Sequence, residues 1–258
     1  MGKGVAVVTG AAGDIGRAIA AALARDHAVV VLADLDLAGA MDAAAALQPR
    51  CAGRLVALRA DVTDPADLAR LAGEVAALGA LDTLVSNAGA ARGESLRSTT
   101  AADWEADRAL NLDAHFHLFS AFAPALEAQG GSLVTISTVN ALGVFGHPAY
   151  SAAKAGLVHL TRQIAVEYGR RGVRANSVAP GTVKTRAWAA GEAANPGVFA
   201  EAAAHYALGR IALPEDVAEA VAFLASAPAI TGVCLPVDCG LTAGIPALAR
   251  TFSQSDDY

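Results

Sequence analysis

Tyr150 and Lys154 stand four residues apart, just after Pro148, in a stretch that reads Pro-Ala-Tyr-Ser-Ala-Ala-Lys. Residues at i and i+4 share a helix face, and a proline at the first helical position suits a helix start. A free tyrosine titrates at about pH 10 and is a poor base at neutrality. An ammonium a few ångströms away favours the phenolate by roughly one to three pKa units, and the positive end of the helix dipole pushes the same way. A tyrosine tuned in this way can exchange a proton with an alcohol or ketone oxygen. The pair alone is a common spacing, so its meaning rests on what the rest of the chain places around it.

The elements that must carry the pair follow from hydropathy. Apolar runs at Val5–Val8, Ala28–Ala33, Leu55–Leu58, Leu81–Val85, Ser132–Ser137, Val173–Val178 and Val233–Val237 read as buried strands. Helical patterns separate them, at about 14–25, 36–47, 64–78, 101–129, 150–169, 187–206 and 214–225. This alternation predicts an α/β fold: a doubly wound parallel sheet of about seven strands, helices on both faces, and a single domain over residues 1–258. Ligands of such sheets bind at the carboxyl ends of the strands, near the topological switch point.

The glycines of Thr9-Gly10-Ala11-Ala12-Gly13-Asp14-Ile15-Gly16 join the first strand to the first helix. Glycines there let the backbone approach a pyrophosphate, which then rests on helix N–H groups. The spacing alone also fits a tight turn, but its place between strand and helix, with Asp34 closing the second strand, points to a dinucleotide. Asp34 can accept hydrogen bonds from the adenosine ribose and repel a 2′-phosphate. No Arg or Lys lies within 33–38, so the expected cofactor is NAD.

With these residues in order, the chain resembles the short-chain dehydrogenase/reductase family over nearly its whole length, in the compact branch and with a Rossmann-like sheet. Thr9–Gly16 is similar to the family's glycine-rich segment, Asp61-Val62 to its adenine-contacting pair, and Asn87-Ala88-Gly89 to its Asn-Ala-Gly. Asn111 falls where the family's catalytic asparagine stands, and Tyr150 and Lys154 match Tyr-x-x-x-Lys. Pro180-Gly181, followed by Val183 and Thr185, resembles the segment flanking the nicotinamide. Asp14 and Cys239 replace glycines usual in the compact branch, and the glycine spacing is also that of the nucleotide-sugar-modifying branch.

The resemblance implies an NAD(H)-dependent oxidoreductase that interconverts a secondary alcohol, with a sugar or polyol as the first candidate, and its ketone. A cyclic or aryl ketone is the alternative substrate, and a sugar-nucleotide epimerase or a non-catalytic dinucleotide-binding regulator are alternative functions. Tyr150 is the expected acid/base. Lys154 would hold its pKa down and bind the nicotinamide ribose, and Asn111 would hold a proton-relay water. The resemblance also implies a substrate lid near 186–210 and a homotetramer built from the helices near 101–129 and after Tyr150. Asn140, His147 and Trp188 are the candidates for touching substrate, each with a loop or packing role as the alternative.

The family's catalytic hydroxyl has two claimants. Thirteen residues before Tyr150 stands Ser137, while counting along the strand from Gly131 through Ile136 gives Thr138. A strand tolerates a one-residue slip less well than a loop does, which favours Thr138.

Composition narrows partners and place. Hydrophobic residues make up 54% and charged ones 17%, with a formal net charge of −6 and no basic cluster, so neither nucleic acid nor an anionic membrane is an expected partner. Cys51, Cys234 and Cys239 form no paired motif, which argues against a metal site and fits a reducing cytoplasm. No apolar run is long enough to span a bilayer. Met1-Gly2-Lys3-Gly4 leads into a short strand without a signal segment, and Ala6 stands where an acylation signal wants Ser or Thr.

Overall fold

A computed structural model describes residues 3–255 and 257; Met1 and Gly2, on which the signal and acylation readings partly fall, lie outside the described residues. Seven strands run parallel: β1 (Lys3–Thr9), β2 (His27–Asp34), β3 (Arg54–Arg59), β4 (Leu81–Ser86), β5 (Ser132–Ile136), β6 (Arg174–Pro180) and β7 (Cys234–Val237). Their order is β3-β2-β1-β4-β5-β6-β7, so the chain reverses its direction of travel across the sheet between β1 and β4. That reversal is the switch point where the strand ends open a crevice.

Because side chains alternate along a strand, each strand feeds two cores. Ala6, Val8, Val30, Leu32, Val85 and Val178 face one layer, with Ile19, Leu23, Val217 and Leu224 from α1 (Asp14–Leu23) and α9 (Pro214–Ser226). Val5, Val7, Val31, Leu84 and Leu133 face the other. There they meet Leu68 and Leu71 of α3 (Pro65–Ala76), Phe122 and Leu126 of α5 (Ala114–Gln129), and Ile164 of α6 (Pro148–Tyr168). α2 (Leu37–Leu47) joins the first layer through Ala40 and Ala43. Burial on both faces explains why the strands read as continuous apolar runs.

The structure departs from the expected elements in four places. The helix expected over 101–129 is two: α4 (Ala101–Arg108) and α5, joined by a π turn over Ala109–Asp113 centred on Asn111. Such turns pass unseen in a 3.6-residue pattern and recur at functional sites. The stretch expected as helix from 187 breaks into a 3-10 turn (Arg186–Trp188), α7 (Ala189–Ala194) and α8 (Val198–Ala203), because Asn195-Pro196-Gly197 interrupts it. α6 begins at Pro148, so Tyr150 lies inside its first turn. A last helix, α10 (Pro246–Ser253), is too short to show in the pattern.

Candidate active site

A cavity of about 970 Å³ opens over the carboxyl ends of the strands. The glycine-rich loop supplies one wall through Gly10, Gly13, Asp14, Ile15 and Gly16. Gly10 takes a left-handed φ of 65°, and a Cβ there would lie 2.9 Å from the Ala88 Cα. Only glycine lets the two strand ends meet. Asn87 locks them, donating from Nδ2 to the carbonyls of Thr9 (2.9 Å) and Gly10 (3.2 Å). The Thr9 hydroxyl in turn accepts from the Asn87 and Ala88 amides. Ala88, Gly89, Pro180, Gly181, Val183 and Thr185 also line the cavity.

α1 begins at this wall with no side-chain cap, which suits an anion at its N-terminus. Asp14 in its first turn is paired with Arg186: the Arg186 Nε and backbone N–H donate to its two carboxylate oxygens at 2.6 Å, and the guanidinium reaches the Ala12 carbonyl at 3.1 Å. The segment after β6 is thereby fastened over the glycine loop.

Asp34, Asp61 and Val62 do not line the cavity. They sit together where β2 and β3 end, joined by the Ala60 amide donating to the Asp34 carbonyl at 2.8 Å. The Asp34 carboxylate accepts from the Ala12 amide (2.8 Å) and from the Asp36 amide (3.0 Å). Arg17 comes near the same turn from α1, and its guanidinium donates to the carbonyls of Ala12 and Gly39. The main-chain cradle, the uncapped helix and the acid at the end of β2 fit a nicotinamide dinucleotide laid from β2 across to β5.

At the far end β5 meets α6. Ser137 and Thr138 both line the cavity, yet their hydroxyls have different partners. The Ser137 hydroxyl donates to the Lys154 carbonyl at 3.2 Å, whereas the Thr138 hydroxyl lies beside the Tyr150 phenol and favours its ionisation. Thr138 also bonds Asn140, whose amide group donates to the Gly146 carbonyl and Ser151. His147 holds a left-handed φ of 51° immediately before α6, with Nδ1 3.2 Å from the Gly93 carbonyl. His147, Asn140, Phe145 and Trp188 face the cavity, and Trp188 packs edge-on against Phe199. Tyr206, buried, bonds the Thr182 amide and hydroxyl in the segment after β6.

Lys154 is 2% exposed. Its ammonium donates to the Ile136 carbonyl at 2.8 Å and passes close to Gly89, where a Cβ would lie 3.2 Å from Nζ and 2.8 Å from the Asn111 Oδ1. Asn111 is off the cavity wall. Its side chain donates to the carbonyls of Ala90 (2.7 Å) and Asp107 (2.9 Å) and accepts from the Ala90 amide, so it staples the Asn-Ala-Gly turn to the π turn.

From the residues we expected Lys154 to hold the Tyr150 pKa down. Within the polypeptide alone, burial sets the shift instead. Desolvation pushes Tyr150 up to about 12, the Thr138 bond opposes it, and the buried Asp107 adds to it. Desolvation also drives Lys154 down to about 7, which leaves it a weak cation at neutral pH.

Two groups near the site were missed in the sequence. Asp107 is fully buried and pairs with Arg92 at 2.9 Å. His115 is buried with Nε2 3.4 Å from the Lys154 Nζ. No spacing signal marks either, since both act across elements distant in sequence. Among the described residues no cluster of metal-binding side chains occurs, and no helix is long and apolar enough to cross a membrane.

The chain is similar to known proteins over nearly its whole length. Residues 10–242 match the family model described as enoyl-(acyl carrier protein) reductase. The chain is 41% identical to 2-(S)-hydroxypropyl-CoM dehydrogenase 3 of Xanthobacter autotrophicus, over 93% of this chain and 96% of that protein. It is 44% identical to cis-4-hydroxycyclohexanecarboxylate dehydrogenase of Sinomonas cyclohexanicum, with the same coverage. A crystal structure of an oxidoreductase of the short-chain dehydrogenase/reductase family from Burkholderia thailandensis superposes with a TM-score of 0.91, at 40% identity and full coverage of both chains. A parallel sheet with its crevice at the switch point, a Tyr-x-x-x-Lys pair at the cavity floor and these relatives lead to one conclusion: the chain belongs to the short-chain dehydrogenase/reductase family and is an alcohol dehydrogenase/ketone reductase.

Proposed function

We propose that the enzyme uses NAD(H) to interconvert a compact secondary alcohol and its ketone, with Tyr150 as the acid/base. The observation that carries this reading is that Tyr150, Thr138 and Lys154 together line one cavity, beside the glycine-rich loop. When bound, the nicotinamide supplies the hydride chemistry. Tyr150 takes the proton of the substrate hydroxyl in oxidation and returns it in reduction. Thr138 orients the substrate oxygen from the other side. Lys154, held by the Ile136 carbonyl, would bind the nicotinamide ribose and support the Tyr150 phenolate. Asn111 holds the Ala90 turn and the π turn in register around Lys154, beside the expected relay water.

Asp34 supports NAD over NADP, since a 2′-phosphate would meet its carboxylate while Arg17 is engaged by two carbonyls. The substrate end favours an alcohol with an apolar body: Phe145, Trp188, Leu241 and Ile245 line it, against a few polar groups such as Asn140 and His147. A polyol would set several hydroxyls against apolar walls without partners, so a cyclic secondary alcohol is the better fit. The relative that acts on cis-4-hydroxycyclohexanecarboxylate is in keeping with this.

Exposed Trp104, Phe116 and Val166 on α4, α5 and α6 support a homotetramer, which light scattering at micromolar concentration tests. The unpaired Cys51, Cys234 and Cys239 support a cytoplasmic location. For the function itself, a panel of cyclic alcohols, linear diols, polyols and their ketones is followed by NADH absorbance. Turnover confined to polyols would overturn the substrate reading, and exchange without net NADH change would point to an epimerase.

A further inference from the structure

Two buried polar side chains, His115 and Ser86, lie behind Lys154 and take no part in the reaction described. His115 enters from α5, immediately after the π turn, and is 5% exposed. Its Nε2 lies 3.4 Å from the Lys154 Nζ, and its Nδ1 lies 2.6 Å from the hydroxyl of Ser86, the last residue of β4. An ammonium only donates hydrogen bonds. Facing one, Nε2 must carry the lone pair, and Nδ1 carries the proton that Ser86 receives.

We propose that His115 is a positioning residue for Lys154: its neutral imidazole, oriented by Ser86, is the buried acceptor that keeps the lysine ammonium charged and aimed past Gly89 into the cavity. The proposal rests on the reading of Lys154 as the partner of Tyr150. A buried ammonium with too few acceptors sheds its proton, and the Ile136 carbonyl satisfies only one of its three N–H groups. Burial, reinforced by the lysine charge, holds His115 well below its ordinary pKa, so it remains an acceptor rather than a second cation.

The other groups around Lys154 do not take this role. β5 offers the Ile136 carbonyl, the residue after it the Ser137 hydroxyl, neither of which titrates, and the Asn-Ala-Gly turn offers Gly89, without a side chain. Tyr150 lies one turn back on α6, with its ring centroid 5.8 Å from Nζ. Asp107 of α4 is held by Arg92, and its charge is felt at Tyr150. Asn111 is committed to Ala90 and Asp107.

The chain carries only three lysines, Lys3, Lys154 and Lys184, so the Lys154 titration can be read directly. Protein labelled with 13C at lysine Cε gives three side-chain signals by NMR, and the Lys154 signal is the one lost in Lys154→Met. His115→Leu removes the acceptor at similar volume, His115→Gln keeps one, and Ser86→Ala deletes only the orienting hydroxyl. We expect the Lys154 midpoint to fall by about one unit in His115→Leu, by less in Ser86→Ala, and to return toward wild type in His115→Gln.

In the same variants the acid limb of kcat/KM for alcohol oxidation moves the opposite way, to higher pH, because Tyr150 loses cationic support. An unchanged Lys154 midpoint in folded His115→Leu and Ser86→Ala overturns the proposal. Should His115→Leu fail to fold, an unchanged midpoint in Ser86→Ala together with an unrestored one in His115→Gln overturns it equally. A shifted Lys154 midpoint with an unmoved acid limb upholds the His115–Lys154 link and instead refutes the assignment of Lys154 to Tyr150.

Discussion

Arg186 clasps Asp14 with two hydrogen bonds of 2.6 Å across 172 residues of chain, one from its guanidinium and one from its own amide. Asp14 places a carboxylate in the first turn of α1, where the cofactor pyrophosphate is expected, and Arg186 offsets that charge while fastening the segment after β6 over the glycine loop. Arg186 is well exposed, so the pair by itself is worth only about 0.2–1 kcal/mol; its larger effect falls on the bound anion. Arg186→Ala is expected to weaken NADH binding by about three- to tenfold, as measured by fluorescence titration, and Asp14→Asn in that background is expected to restore most of the loss. Additive losses in the double variant would show that the two residues act independently.

Ser137 and Thr138 are separated by their partners. Thr138→Val is expected to lower kcat by roughly a hundredfold or more, as removal of a donor beside a reacting oxygen does. Ser137→Ala loses a bond to the Lys154 carbonyl and is expected to change kcat only a few-fold. Steady-state kinetics on both variants check this, and the reverse ranking would make Ser137 the working hydroxyl.

Asp34 anchors the glycine loop through the Ala12 amide as well as facing the expected adenosine ribose. Asp34→Ala is therefore expected to relax the preference for NAD over NADP while also raising KM for NAD. Equal or better kcat/KM with NADP in the unaltered enzyme would contradict the assignment.

The Lys154 ammonium is costly to the fold. Its pKa drops from 10.5 to about 7 on burial, so between those values the unfolded chain binds more protons and stability rises with pH. Below about 7 the whole penalty is present. Lys154→Met is expected to abolish turnover yet raise Tm, with a larger gain at pH 6 than at pH 9 by differential scanning calorimetry. A gain independent of pH would mean that Lys154 is not desolvated.

Much of the site was legible because its motifs are local. Gly10–Gly16, Asn87–Gly89, Tyr150–Lys154 and Pro180–Gly181 each report a turn or a helix start that neighbouring residues determine, and the buried strands between them align these turns along one edge. The preference for Thr138 over Ser137 rests on the two-residue period of the strand that leads into them. What could not be read were pairings made by packing: Asp14 with Arg186, Asp107 with Arg92, and His115 with Ser86 and Lys154. The π turn at Asn111 was hidden for the same reason, since it reflects the tether from Asn111 to Ala90 rather than a local propensity. The direction of the Tyr150 shift was misjudged because depth of burial is a tertiary quantity.

The most direct test of the account is Tyr150→Phe, which removes the phenolic oxygen and leaves the ring. The account predicts a fall in kcat of about a thousandfold, within the range of general acid–base catalysis, with NADH binding unchanged within about twofold by fluorescence titration. Retention of a tenth or more of the turnover, with the same binding, would contradict Tyr150 as the acid/base.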